Sequence, residues 1–126
     1  MKVLIAGSRN LQVSNNTMLE DLNEFLDDIN AGFVSTIISG GATGIDKCGE
    51  SLAESLGVPV KQYLPNWKKE GKKAGPLRNK EMVDACDAAL IYYDGKSKGT
   101  LSTINFLKKT TKPYLLIMIE EETTNT

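Results

Sequence analysis

The chain has 126 residues, 40% of them hydrophobic and 25% charged, which fits one globular domain and makes two implausible. Fifteen basic side chains against 16 acidic ones leave a net charge of −1, so no global field draws polyanions to the surface. Histidine is absent, which excludes a Ser-His-Asp triad, a Cys-His pair, an imidazole proton shuttle and every His-based zinc site.

Lys2 to Ala6 reads as a first strand that follows Met1 directly, rather than as a signal peptide. Thr17 and Glu20 have capping-box spacing, and Leu22, Phe25, Leu26 and Ile29 follow at helical intervals, so a helix is expected from about Thr17 to Asn30, with Gly32 just beyond it. Phe33 to Ile38 is the second strand. After a tight turn, Ser39-Gly40-Gly41-Ala42-Thr43-Gly44, a helix from Ile45 places Cys48, Leu52, Ala53 and Leu56 inward and stops at Gly57.

Val58 to Tyr63 is a short third strand. Leu64 to Gly75 has no clear period and is crowded with lysine, so a loop or irregular lid is expected. Pro76 suits the first turn of a helix carrying Leu77, Met82 and Ala85, which leads to a fourth strand, Ala88 to Tyr93. Gly95 to Gly99 turns the chain, Thr100 starts a helix with Ile104 and Leu107 inward, and Tyr114 to Ile119 is the last strand. Residues 120–126 read as a solvated tail.

This alternation predicts an α/β fold: a Rossmann-like, doubly wound sheet of about five mainly parallel strands, in a single domain over residues 1–119. Cys48 and Cys86 lack metal-type spacing and read as reduced, half-apolar filler. No metal ion and no cofactor are expected. No apolar run reaches the roughly 18 residues of a membrane span, so no membrane partner is expected and the expected setting is cytoplasmic.

Ligands of doubly wound sheets sit beyond the carboxyl ends of the strands, near the point where strand order reverses. The segments there are Gly7-Ser8-Arg9, Ser39-Gly40-Gly41-Ala42-Thr43-Gly44 with Asp46, and Asp94-Gly95-Lys96-Ser97-Lys98-Gly99-Thr100. Glycine lets a ligand approach bare backbone, while hydroxyls and helix-opening N–H groups favour anionic oxygen, so a phosphate is the expected ligand group. A βα connection also needs glycine and a capping Ser or Thr for its own sake, but three such loops at one sheet edge favour a ligand. Neither GxGxxG after the first strand nor a P-loop around Lys96 is present. Arg78-Asn79 opens the helix that feeds the fourth strand, and the arginine is expected to meet a phosphate or a carboxylate such as Asp46 or Asp94.

Taken in order, these motifs, with the stretch from Asn66-Trp67 to Gly75-Pro76-Leu77-Arg78-Asn79, resemble the YspA-type, YpsA-related branch of the SLOG superfamily. The resemblance runs from Lys2 to about Ile119 and implies a Rossmann-like nucleotide-binding domain, as a homo-oligomer of two or more copies. Ser39 to Asp46 and Pro76 to Asn79 are also similar to motifs of the DNA-processing protein DprA. Arg78 to Thr100 is similar to the LOG phosphoribohydrolases, with Met82 and Asp87 keeping the spacing and Gly99-Thr100 matching their GT pair. The LOG pattern continues into a catalytic acid, whereas here Leu101-Ser102-Thr103 follows. A hydroxyl cannot supply the charge that glycosidic hydrolysis uses, although Asp46, Asp94 and Glu50 are available as substitutes.

Binding rather than turnover is therefore expected, and no residue is assigned to catalysis. The ligand is a small nucleotide or an ADP-ribose-like molecule, sensed or sequestered by Gly7, Ser8, Arg9, Ser39, Gly40, Gly41, Ala42, Thr43, Gly44, Asp46, Trp67, Arg78, Asn79, Asp94, Gly95, Ser97, Gly99 and Thr100. A nucleotide-processing N-glycosidase or phosphoribohydrolase is one alternative. The other is a binder of single-stranded nucleic acid, for which Trp67 and the local excess of lysine from Lys68 to Lys80 argue, against the neutral total and the single tryptophan.

Overall fold

The computed structural model describes residues 1–120, so the expected tail lies, beyond Glu120, outside the described residues. Its elements are β1 (Lys2–Gly7), α1 (Asn15–Asp28), β2 (Thr36–Ser39), α2 (Ile45–Leu56), β3 (Val60–Gln62), α3 (Trp67–Glu70), α4 (Ala74–Ala85), β4 (Ala88–Tyr93), α5 (Lys98–Lys108) and β5 (Tyr114–Met118). The five strands form one sheet in the order β3-β2-β1-β4-β5, parallel throughout. This is the doubly wound order, with the reversal between β1 and β4.

Alternation along the strands divides the core. Val3 and Ile5 of β1, Ile37 of β2, and Leu90 and Tyr92 of β4 face α1 and α2, where Met18, Leu22, Leu26, Leu52 and Ala53 meet them. Leu4, Ala6, Ile38, Ala89 and Ile91 face the other way, onto Met82 and Val83 of α4 and Ile104 and Leu107 of α5. Val3, Leu4 and Ile5 are fully buried, as the central strand of a sheet covered on both faces must be. Each such side chain contributes about 1.5–3 kcal/mol by leaving water.

Several boundaries differ from the sequence reading, each for a local reason. Ser14, not Thr17, caps α1: its hydroxyl accepts the Thr17 N–H at 3.2 Å, and the helix starts two residues earlier than expected. The left-handed residue after α1 is Asn30, not Gly32. Phe33 is 95% exposed and outside β2, its carbonyl taken by the amino group of Met1. The stretch expected to be irregular holds α3, whose first turn Asn66 caps by accepting the Lys69 N–H at 3.1 Å. A 3₁₀ turn, Gly71–Lys73, then runs into α4, which begins two residues before Pro76. Ser97 caps α5, so that helix opens at Lys98 rather than Thr100. Cys48 and Cys86 are free thiols. Among the described residues no helix is long and apolar enough to cross a membrane.

Candidate functional site

The reversal of strand order opens a crevice beyond the carboxyl ends of β1 and β4. Ser8 supports it from behind. Its N–H donates to the Tyr92 carbonyl at 3.1 Å, its hydroxyl accepts the Asp94 N–H at 3.2 Å, and its own carbonyl accepts the Leu11 N–H at 3.3 Å. Ser8 is fully buried, so its polar groups hold β1 and β4 in register at the crevice. Asp94 accepts the N–H groups of Lys96 at 2.8 Å and Ser97 at 2.9 Å, and those two bonds hold its carboxyl below the usual carboxylate range. Asp94 and Gly95 thus shape the turn that presents Ser97 and α5, and neither lines the crevice itself.

The turn after β2 is tied down from inside. Ser39, also fully buried, donates to Glu50 at 2.7 Å and accepts the Gly41 N–H at 3.1 Å. Glu50 accepts further bonds from Gln62 at 3.0 Å and Lys47 at 3.2 Å. Partial burial opposes its charge, but the Ser39, Gln62 and Lys47 bonds outweigh it and lower its pKa. Asp46, in the first turn of α2, accepts the Ala42 N–H at 3.1 Å, bending the loop back onto the helix that follows it. Burial pushes the Asp46 carboxyl up to about 6, against the opposing pull of the Ala42 N–H and the Arg78 guanidinium.

Arg78 joins the loops. From α4 its Nη1 donates to the carbonyls of Gly40 at 2.8 Å and Tyr63 at 3.2 Å, and its Nε donates to Asn79 Oδ1 at 2.9 Å. Asn79 in turn donates to the Gly99 carbonyl at 3.3 Å, so one side-chain pair links the ends of β2 and β3 to the start of α5. Arg78 and Asp46 flank Gly40: a Cβ built there would lie 2.8 Å from Nη1 and 2.9 Å from Asp46 Oδ2. The carboxylate contact expected of Arg78 is thus a facing charge, not a direct ion pair; among the described residues the ion pairs are Lys47–Glu50 and Lys80–Asp84. Burial pulls the guanidinium pKa down, Asp46 counters it, and the nearby Arg9 adds to the fall.

Two compartments meet at this arginine. The inner one, about 60 Å³, lies between Gly7, Asp46, Asn79, Ser97, Gly99 and Thr100. The outer one, about 320 Å³, is bounded by the Gly40–Thr43 turn and by Leu64, Pro65 and Trp67. Arg9, Ala42 and Arg78 line both. The sequence-predicted residues therefore converge, apart from Ser8, Ser39, Asp94 and Gly95, which support the walls, and Gly44, whose approach to the Ser8 and Arg9 carbonyls closes the loop onto β1. Glu50 entered the sequence reading as a substitute acid, but its role with Gln62 behind Ser39 was missed; the i, i+4 spacing of Asp46 and Glu50 on one helix face was the available signal.

A family model described as the YspA, cpYpsA-related SLOG family matches residues 1–69. The chain belongs to this family. The Gene 61 protein of Mycobacterium phage D29 is 33% identical to it over 120 residues, covering 90% of this chain and 94% of that protein. No solved structure matches. The matched span of this SLOG member includes β1, β2, α2 and the loops that carry Arg9 and Gly40 to Asp46, while Arg78 and the start of α5 complete the crevice from beyond it. Membership points to nucleotide-related binding or processing.

Proposed function

We propose that this protein binds a small nucleotide or an ADP-ribose-like molecule through its phosphate and keeps it intact, as a sensor or a sequestering module. The observation that carries the reading is Arg78, whose guanidinium is held by two carbonyls and Asn79 where the two compartments meet. A guanidinium fixed in advance loses little freedom on meeting an anion, and a charged hydrogen bond is about twice as strong as a neutral one. Arg9 and the helix-opening N–H groups of α5 add to the same field; Ser97 takes the Thr100 N–H, leaving those of Lys98 and Gly99 without an intrahelical partner.

Against turnover stands the segment after Thr100. Thr103 is buried and spends its hydroxyl proton on the Gly99 carbonyl at 3.3 Å, so it supplies no charge at the position of the acid. The reading is tested by incubating the protein with AMP and with ADP-ribose, measuring binding by calorimetry and analysing the recovered ligand by chromatography. Saturable binding with intact ligand supports it, and release of free base overturns it.

One observation favours the processing alternative. Asp46 borders the inner compartment and titrates near neutrality, as a general acid or base needs to. Base release that disappears in Asp46→Asn would establish that alternative.

A further inference from the structure

The outer compartment is more than five times the inner one, and its lining is of a different kind. The inner compartment, about 60 Å³, is the smaller of the two and borders the opening turn of α5, which suits a phosphate. The outer recess has the room for a nucleobase. Its far wall is Leu64, Pro65 and Trp67; the indole, 55% exposed, has its rim against Gly75 of α4, where a built Cβ would lie 3.5 Å from Cη2. Beyond the arginines, the polar side chain lining the recess is that of Thr43, which is solvent-exposed. No carboxylate and no side-chain amide lines the recess.

Resting on the phosphate reading above, we infer that the recess is a nucleobase subsite in which the base stacks on Trp67, and that stacking area sets its preference. The site then prefers purines to pyrimidines, because every base has a π-face and that of a purine is larger. The lysines of α3 and the 3₁₀ turn face solvent and contribute nothing to this preference.

The experiment compares AMP, GMP, CMP and ribose 5-phosphate by calorimetry on the wild type, Trp67→Ala, Trp67→Phe and Arg78→Ala. Trp67 is the single tryptophan, so selectively excited indole emission reports the subsite directly. The expected order is AMP and GMP tightest, CMP weaker, and ribose 5-phosphate weakest, by about five- to a hundredfold relative to AMP. Only the nucleotides quench the indole. Trp67→Ala collapses the AMP preference and leaves ribose 5-phosphate unchanged, and Trp67→Phe restores part of it. Equal binding of AMP and ribose 5-phosphate by the wild type, or a preference that survives Trp67→Ala, overturns the subsite while leaving the phosphate reading intact. AMP binding that is indifferent to Arg78→Ala overturns the phosphate reading itself, and with it this inference.

Discussion

The turn after β2 and the segment after β3 form opposite sides of the crevice, and each contains a glycine in nearly the same backbone conformation. Gly44 has φ 76° and ψ −129°, and Gly71 has φ 59° and ψ −135°. Around Gly44 the space is closed: a side chain would run into the main-chain carbonyls of Ser8 and Arg9. Around Gly71 nothing lies within 4 Å. The first wall is fixed by Ser39, Glu50, Gln62 and Asp46 before any ligand arrives. The second, α3 and its 3₁₀ turn, has no buried residue and packs on α4 through the Trp67 indole, which lies against Gly75. Such a segment opens at low free energy, whereas the first wall moves only with the core. The crevice therefore has one rigid, preformed side and one adjustable side, which under the proposed function would meet the phosphate and the remainder of the ligand respectively.

The largest expected effect breaks the rigid wall. Gly44→Ala combines backbone strain with a main-chain collision and should lower stability by roughly 4 kcal/mol or more, whereas Gly71→Ala bears the strain alone, about 1–3 kcal/mol. Denaturant melts of the two variants measure the difference, and equal losses would mean the walls are alike.

The next effect is a pH dependence. The Asp46 carboxyl titrates at an ordinary 3.8 when unfolded and at about 6 when folded, so the folded state favours the protonated form. Its contribution is full below pH 4 and is lost as pH rises through 6. The ionised group then costs the fold on the order of 2 to 3 kcal/mol. Asp46→Asn should therefore leave stability unchanged at pH 4 and raise it by about that amount at pH 8, provided the amide keeps the Ala42 bond. Melts at the two pH values check this, and a variant less stable at pH 8 would contradict it.

The smallest effects belong to the open wall. The pair Lys68→Ala with Lys69→Ala removes exposed side chains and should change stability by about 0.5 kcal/mol or less. A larger fall in melting temperature would show that this wall is as built-in as the other.

The strands and most helices were legible because apolar periodicity survives in this chain: Ala88 to Tyr93 reads as a strand from sequence and is β4 in the structure. The place of the crevice followed from the order of strands and helices, which puts Gly7, Gly40 and Gly99 at one sheet edge whatever their neighbours do. Less legible was the division of labour within the loops. Ser8, Ser39 and Asp94 have the polarity of ligand contacts, but their bonds are satisfied within the protein, and only three-dimensional packing decides that. Gly99 entered the reading as a glycine required by the phosphate; it has no positive φ and open space around it, so its small size is not demanded by the fold. The short α3 was hidden because four residues carry no period, and its one local signal was Asn66 three positions before Lys69.

The preformed arginine is the centre of the proposed site, and calorimetry of AMP with the wild type and Arg78→Ala, paired with thermal melts, tests it directly. The expected result is one saturable site in the wild type and a loss of about 1.5–3 kcal/mol of binding free energy in the variant, which stays folded. A folded Arg78→Ala protein that binds AMP as tightly as the wild type would contradict it.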